Sequence, residues 1–509
     1  MGKLLIFIFV IALAVRFLYF PDNIYFGFDQ ARDAFESLDI YKNFNLKIIG
    51  PSTAAENLFH GPLYWYLIGS FYLLGGGNPQ IPAAFLSILN ALGVFIIFWI
   101  GRRIFNPMVG IMAAFLYAIS FEQTQYALYF GNPAPAVLTM MLFYAGLMLL
   151  FFEKKWVGLP TALFFLGLSI QFEFFIIYLL GVMGILIIIF GRRVIRQLTF
   201  PQIIISLGAF LVAISTFVIA DLKFNFRTIK TLLNMTGNSR VSNFSLTDYF
   251  DKLIRHINDN ILSANLIHNN YTILQLLLIG LIIYVFYLIF KKKDYRREFS
   301  FLTIWFLSGI FLFAFGTPRL YYSNIGISPA LLLISAFLIS KVYTRKKILA
   351  IVLLIVILTS NLTQVLERNK EGIINDIYVQ EGMLLGREKQ ALDFIYTKAE
   401  HKPIVVSALT MPLKINTTWA YLFNWYGGNK YHYLPFWAGE AALGYPGFLP
   451  TWKSQEKDYI MFSIIEPTRG VRYAFIEQYL KEQEQYGKVF EEKILGDKWT
   501  SQLIVQLRK

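Results

Sequence analysis

Apolar segments close to 20 residues long recur along this chain from its N-terminus to about residue 363. A helix of about 20 apolar residues crosses the hydrocarbon core of a bilayer, where every backbone polar group must be satisfied internally. Composition agrees, because 56% of the 509 residues are hydrophobic and only 15% are charged, against about 25% in a typical soluble domain. The sequence therefore predicts a polytopic α-helical membrane protein.

The net charge of +14 comes from basic residues in short loops between the apolar segments. That distribution is typical of cytoplasmic loops, so it reports membrane topology and contact with lipids, and we expect no nucleic-acid partner. The chain contains no cysteine, which excludes disulfides and Cys-ligated metals. The basic clusters are Lys3; Arg102 and Arg103; Lys154 and Lys155; Arg192, Arg193 and Arg196; 291–297; and 341–347.

The number of spans between neighbouring basic clusters then predicts the topology. If every basic cluster is cytoplasmic, an even number of spans separates neighbouring clusters. Residues 21–81 become one outer loop, in which the aromatic stretch 61–76 lies at the membrane interface. Two short spans meet near 171–173, and a later span covers 202–220. We expect about eleven spans, with the N-terminus inside and the C-terminus outside.

Composition becomes that of a soluble protein after residue 363. The segments "KPIVVSAL", "DYIMFSII", "KVFEEKIL" and "SQLIVQL" are typical of strands, and 383–398 and 469–486 of amphipathic helices. The sequence predicts a transmembrane module over 1–363 and a small extracytoplasmic α/β domain over 364–509.

Two carboxylates follow the first apolar segment. Asp29 and Asp33 share one face if this segment is helical. Paired carboxylates can divide roles, with one ionised as a base and the other structural. The alternative is that Asp29 caps the helix and that Asp33 pairs with Arg32 or a nearby Lys.

Other polar residues gather at the predicted outer membrane edge, where an ionisable group usually faces a cavity or a partner. All but Gln171 have a plainer alternative. It is headgroup exposure for Glu122 and Glu173, helix capping for Asn132, a structural hydrogen bond for His60, and lipid anchoring for the basic and phenolic groups. A guanidinium beside phenols also suits a phosphate. The candidates are His60, Glu122, Asn132, Gln171, Glu173, Lys223, Arg319, Tyr321 and Tyr322.

Motifs for cofactor chemistry are missing from the sequence. It has no Walker A, GxSxG or GxGxxG motif and no His, Asp and Glu set with zinc-ligand spacing. We therefore expect no cofactor, and no divalent-metal site is supported.

Six segments, in order, resemble the membrane-embedded C-type glycosyltransferases. The branch is that of the bacterial relatives of protein O-mannosyltransferases and the aminoarabinose transferases. The likeness covers most of residues 1–345, and its segments are "FDQARDA", "HGPLYWYLIG", "GRRIF", "SFEQTQYALYFGNPAP", "LSIQFEFF" and "YYSNIGISPALLLISA". Two positions depart from the family pattern: Leu128 replaces its Arg, and Glu173 replaces its hairpin His.

The resemblance implies an inverting glycosyltransferase that moves a sugar from a polyprenyl-phosphate carrier to a glycan, lipid or protein hydroxyl outside the cytoplasm. Asp29 would be the general base, Asp33 would shape its electrostatic field, and Arg319, Tyr321, Tyr322 and Lys223 would bind the donor phosphate. It also implies the plasma (inner) membrane of a prokaryote, with an outward-facing active site. The alternatives are a lipid-linked glycan flippase or transporter and a glycan polymerase or ligase. A transporter usually shows an internal repeat and mid-membrane polar groups, and neither is evident here.

Overall fold

The computed structural model describes residues 1–53, 55–237, 246–268, 271–291, 295–309, 324–374, 379–439, 442–453 and 458–509. Helices dominate the chain up to residue 371. They are Gly2–Arg16, Phe28–Asn43, Leu63–Leu74, Gln80–Ala91, Gly93–Ile104, Pro107–Ile119, Phe121–Leu128, Pro133–Phe151, Gly158–Phe172, Phe174–Tyr178, Leu179–Leu186, Ile187–Gly191, Arg192–Arg196, Phe200–Ala213, Ser215–Lys223, Arg227–Gly237, Leu246–His256, Ile257–Leu262, Ser263–Asn265, Tyr271–Lys291, Arg296–Leu307, Ser328–Arg345, Lys347–Arg368 and Asn369–Glu371.

Five helical stretches in the described residues are long and apolar enough to cross a membrane, or six if one bent pair is a single span. They are Gln80–Ile104, Pro133–Phe151, Phe174–Arg196, Thr272–Lys291 and Lys347–Glu371. This confirms the polytopic helical membrane protein. Helices also occupy the described parts of the shorter predicted spans, but the count of about eleven and the orientation stay predictions.

The predicted span over 202–220 is not one straight helix. Helices Phe200–Ala213 and Ser215–Lys223 meet at an angle of 67°. Gln171 supplies the physical reason, because its Nε2 donates to the Ala213 carbonyl (2.9 Å) and to Thr216 Oγ1 (2.7 Å). A side chain that satisfies the carbonyl freed at a break is a recognised cause of a helix kink.

The aromatic stretch of the first loop forms the helix Leu63–Leu74, which is 12 residues long. At 1.5 Å per residue it is about 18 Å long and too short to span a bilayer. It packs closely on the helix Phe28–Asn43, since a Cβ at Gly69 would lie 2.5 Å from the Tyr41 ring. The absence of a side chain at Gly69 therefore lets the two first-loop helices approach each other.

The C-terminal part contains a five-stranded sheet. Its strands are β1 (Ile404–Leu409), β2 (Phe436–Trp437), β3 (Ile460–Ile465), β4 (Val489–Leu495) and β5 (Leu503–Arg508), in the order β2-β1-β3-β5-β4. Strand β1 is parallel to β2 and β3, and β5 is antiparallel to β3 and β4. The helices here are Leu385–Ala399, Thr417–Leu422, Phe423–Gly427, Gly428–Tyr431, Tyr473–Glu484 and Trp499–Ser501.

All four strands and both helices predicted after residue 363 are present, and the short β2 was not predicted. The proposed boundary at 363 falls inside the helix Lys347–Arg368, so the division into two domains stays a prediction. The side of the membrane occupied by the sheet stays a prediction as well.

Backbone hydrogen bonds join the first loop to the C-terminal part. The Phe26 N–H donates to the Met383 carbonyl (3.1 Å), and the Leu385 N–H donates to the Ile24 carbonyl (2.8 Å). Tyr25 forms an antiparallel bridge with Leu384. Residues 22–26, which we name the docking segment, are thereby fixed immediately before the helix Phe28–Asn43.

Candidate active site

The helix Phe28–Asn43 begins after Gly27, which is its N-cap. Gln30 Oε1 accepts from the Gly27 N–H (3.1 Å), and its Nε2 donates to the Phe130 carbonyl (2.7 Å). The start of the helix is therefore fixed to the neighbouring chain. The alternative that Asp29 is the cap is wrong.

Asp29 and Asp33 lie on either side of one guanidinium. Arg32 Nη1 is 2.6 Å from Asp29 Oδ1, and its Nη2 and Nε are 2.7 and 3.0 Å from Asp33 Oδ1. The Asp29 side chain is 58% exposed, whereas that of Asp33 is 3% exposed. The pair thus consists of one accessible and one buried carboxylate, with Arg32 between them.

Asp33 is also bound by the helix Leu63–Leu74, because Trp65 Nε1 donates to Asp33 Oδ1 at 2.8 Å. Burial raises the pKa of the Asp33 carboxyl to about 6, while the Arg32 guanidinium and the Trp65 indole act in the opposite direction. A buried charge of this kind needs its partners. Asp33 therefore fixes Arg32, and Arg32 in turn fixes Asp29.

His60, Gln171 and Glu173 are brought together where the first loop crosses the C-terminal end of helix Gly158–Phe172. The Gly61 N–H donates to the Gln171 carbonyl (2.9 Å), and the Phe174 N–H donates to His60 Nδ1 (3.2 Å). Burial lowers the pKa of His60 to about 3, so the ring is neutral. Its Nδ1 is 3.7 Å from Glu173 Oε1, which is too long for a hydrogen bond.

Glu173 is buried, at 1% exposure, so the alternative of an exposed hairpin apex is wrong. Its Oε2 has no hydrogen-bond partner among the described residues. A buried acceptor without a partner costs free energy, and Glu122 Oε1 and Gln171 Oε1 also have none among the described residues.

Glu122 and Asn132 lie in other buried surroundings. Asn265 Nδ2 donates to Glu122 Oε2 at 2.8 Å, and Asn265 Oδ1 accepts from Ser120 Oγ at 2.6 Å. Glu122 is therefore not exposed to lipid headgroups. Asn132 is also buried, and its side chain does not cap the helix Pro133–Phe151.

The predicted phosphate-binding residues are only partly described. Lys223 is exposed at the end of the helix Ser215–Lys223, with its Nζ 5.6 Å from the centre of the Phe224 ring. Arg319, Tyr321 and Tyr322 lie outside the described residues. Within the described ranges, no group of three His, Asp or Glu residues is arranged to hold a metal ion.

Three residues that organise the carboxylate pair were not predicted as site residues: Gln30, Arg32 as the shared partner, and Trp65. Arg32 carried a signal, because it is three residues from Asp29 and adjacent to Asp33. Trp65 carried none, since its distance from Asp33 depends on how two helices pack.

Comparison with solved structures identifies the architecture. ArnT from Cupriavidus metallidurans in the apo state superposes with a TM-score of 0.58 over 98% of this chain and 97% of that chain, at 13% identity. The same protein bound to undecaprenyl phosphate gives a TM-score of 0.56 over the same shares, also at 13% identity. This chain has the fold of a C-type membrane glycosyltransferase.

A family profile agrees with that fold. Residues 59–219 match the family described as dolichyl-phosphate-mannose-protein mannosyltransferase. A search of curated protein sequences finds no match. The resemblance to C-type glycosyltransferases and the enzyme class that it implied are thus confirmed. The match includes His60, Glu122, Asn132, Gln171 and Glu173, but Asp29 and Asp33 precede it.

Proposed function

We propose that this C-type glycosyltransferase transfers a sugar from a polyprenyl-phosphate carrier to an extracytoplasmic hydroxyl, with Asp29 as the general base. The observation that carries the proposal is the exposed Asp29 carboxylate, held by Arg32, which is itself bound by the buried Asp33. A base must be accessible to its substrate and fixed in position. Of the two carboxylates, Asp29 alone meets both conditions.

The proposed reaction is a single displacement. The acceptor hydroxyl gives its proton to Asp29 as its oxygen bonds to the anomeric carbon. The bond from that carbon to the phosphate oxygen breaks, and its electrons leave with the polyprenyl phosphate. Attack opposite to the leaving group inverts the configuration.

The remaining site residues are assigned by chemistry. A phosphate leaving group is stabilised by cationic and hydroxyl donors, which is the role proposed for Lys223, Arg319, Tyr321 and Tyr322. His60, Gln171 and Glu173 are proposed to contact substrate, supported by the unpartnered Glu173 oxygen. Glu122 and Asn132 are proposed for the same role because buried polar side chains beside a membrane are costly without a function.

The chain is a multi-pass membrane protein, and we place it in the plasma (inner) membrane of a prokaryote with the site facing outward. The positive-inside distribution of its basic loops supports that orientation. Membrane lipids and an extracytoplasmic acceptor are its expected partners. The donor is expected to reach the site from within the bilayer.

The decisive experiment supplies the purified protein, in lipid nanodiscs, with polyprenyl-phosphate hexoses and pentoses and with glycan, lipid and peptide acceptors. We expect release of polyprenyl phosphate and a product of inverted anomeric configuration by NMR. Asp29→Asn is nearly isosteric, and it should lower turnover by roughly 100- to 10,000-fold, the usual contribution of a positioned base.

Asp33→Asn is the matched control. It should lower turnover less than Asp29→Asn, because the role of Asp33 is indirect. Equal turnover by folded Asp29→Asn and the parent protein would show that Asp29 is not the base. Failure to consume any of these donors would refute the proposed function.

A further inference from the structure

An open cleft of about 620 Å³ lies between the first-loop helix Phe28–Asn43 and the C-terminal part of the chain. Its volume is within the range of about 300–1,000 Å³ that small-ligand sites occupy. The C-terminal half of that helix forms one side, and the turn at Gly76 and Gly77 together with 421–448 forms the other. The cleft is therefore built partly by the helix that carries Asp29.

The polar groups of the cleft are suited to hydroxyls. Carboxylates and amides line it, namely those of Glu36, Asp39, Asn43, Asn424 and Asn429, together with the ammonium group of Lys42. Amides both donate and accept, carboxylates accept, and an ammonium donates. Asn43 Nδ2 already donates to Asp39 Oδ1 (2.9 Å), and Asn424 Nδ2 to the Ala420 and Phe448 carbonyls (2.7 and 2.9 Å). The donor and acceptor capacity beyond these bonds suits a ligand with many hydroxyl groups.

Aromatic rings supply the apolar part of both sides, with Phe35 on the helix and Tyr421, Trp425 and Phe448 opposite. Phe448 is 72% exposed, and Trp425 is partly exposed. Pyranose rings combine a rim of hydroxyls with apolar C–H faces, so flat aromatic surfaces beside amides and carboxylates complement them. The lining thus matches both parts of a sugar.

The charge of the lining residues distinguishes this cleft from a site for the donor phosphate. Glu36 and Asp39 both bind Lys47, whose Nζ is 2.8 and 2.9 Å from their oxygens. Lys42 is the one cation among the lining residues described, so no excess positive charge remains for a phosphodiester. The expected ligand is a neutral glycan.

The cleft opens on the helix face that also carries Asp29, which is not itself a lining residue. Asp29 and Glu36 are seven residues apart, which places them on the same side of the helix and about 10 Å apart along its axis. The loop that supplies Phe448 also places Tyr445 against Phe28, with ring centroids 5.7 Å apart. A glycan in the cleft would therefore direct one of its ends to the exposed carboxylate.

The rim is kept open by glycine. Gly76 and Gly77 have φ angles of +60° and +87°, and a Cβ at Gly77 would lie 3.5 Å from the Trp425 ring. Tyr421 OH donates to the Gly77 carbonyl at 2.6 Å and holds this turn in place. Glycine adopts such angles at little cost, and here it also leaves the Trp425 edge uncovered.

We infer that this cleft binds the acceptor, and that the acceptor is a neutral oligosaccharide whose terminal hydroxyl reaches Asp29 while the preceding sugars lie against Trp425. The inference rests on the proposed function, because it names the acceptor of that reaction. The glycan is either free or carried by a lipid, and the chemistry recognised in the cleft is the same.

The test uses the full-length protein in nanodiscs and neutral oligosaccharides of two to four pyranoses, each supplied free and on a lipid anchor. Saturation-transfer NMR should show contact between the protein and the oligosaccharide. Comparison of the free with the lipid-anchored oligosaccharide then shows which form the cleft binds. Trp425→Ala should raise the Kd roughly three- to tenfold, for the loss of one aromatic contact. Asn429→Ala, at an exposed position, should weaken binding without affecting folding.

Trp156→Ala is the matched control, because Trp156 is 37% exposed and is not part of the cleft. It should leave the Kd unchanged. The inference is overturned if no oligosaccharide binds, if neither cleft variant changes the Kd, or if a hydroxyl-containing peptide alone binds in a Trp425-dependent manner. A protein that consumes donor but binds no glycan refutes the cleft assignment alone. One that binds glycan through Trp425 but consumes no donor refutes the proposed reaction alone.

Discussion

Replacing Arg32 by Met should destabilise the protein far more than replacing Asp29 by Asn. The reason is the difference in burial of the two carboxylates that Arg32 binds: 3% exposure for the Asp33 side chain and 58% for that of Asp29. Removing the guanidinium leaves the buried Asp33 carboxyl without its cation, and breaking a buried pair in this way typically costs about 3–5 kcal/mol. Losing the exposed contact with Asp29 costs about 0.2–1 kcal/mol.

A double-mutant cycle makes this comparison quantitative. The free energy of unfolding would be measured by chemical denaturation in detergent for Arg32→Met, Asp33→Asn and the double variant, with Asp29→Asn as the control. The double variant should recover most of the stability lost in Arg32→Met, because no buried charge remains. In the Asp33→Asn background, Trp65 Nε1 can still donate to the side-chain oxygen of the new amide, since an amide oxygen accepts as well.

Two results would refute this reasoning. One is an Arg32→Met protein that is as stable as Asp29→Asn. The other is a double variant that is no more stable than Arg32→Met. Either result would mean that Asp33 is not a buried charge that depends on Arg32, and the chain of contacts that fixes Asp29 would have to be drawn differently.

Three further predictions concern other parts of the chain. Arg319→Ala should raise the Kd for a polyprenyl-phosphate sugar roughly 10- to 100-fold, the loss expected for one charge-assisted hydrogen bond. If the folded variant binds the donor as tightly as the parent protein, Arg319 anchors the chain to lipid headgroups instead. Burial raises the pKa of the Glu388 carboxyl well above its usual value. The protonated carboxyl therefore contributes its full stability below the unfolded-state pKa of about 4.3. That contribution is lost as the pH rises through the folded-state pKa. Glu388→Gln should therefore lose less thermal stability between pH 5 and pH 8 than the parent protein, and equal losses would contradict a buried neutral carboxyl. Reporter fusions should place Lys42 and Gln390 outside and Lys292 inside, and a cytoplasmic signal at Gln390 would overturn the topology.

The membrane fold was predictable from the sequence because hydrophobic length and loop charge act locally. Strand and helix patterns after residue 363 were readable for the same reason. The 67° break at residue 214 was not, because it depends on Gln171 donating from another helix. Patterns within one segment cannot report a partner supplied by another segment.

The candidate site likewise has features that the sequence predicts and features that depend on tertiary packing. The spacing of Asp29 and Asp33 indicated a shared helix face, and the structure places Arg32 between them. Their opposite exposures were not predictable, because Asp33 is covered by Trp65 through the packing of the helix Leu63–Leu74. The cleft beside Trp425 also escaped prediction, since its walls come from parts of the chain more than 300 residues apart.

The docking segment has a consequence for the order in which the protein becomes active during synthesis. Residues 22–26 leave the ribosome early, whereas their hydrogen-bond partners at 383–386 are made more than 350 residues later. At about 5–20 residues per second, that delay is on the order of 20 to 70 seconds. The docking segment therefore lacks these partners until the C-terminal part has been made. A nascent chain that already holds the carboxylate pair stays without the contacts that fix the docking segment until residues 383–386 have been synthesised.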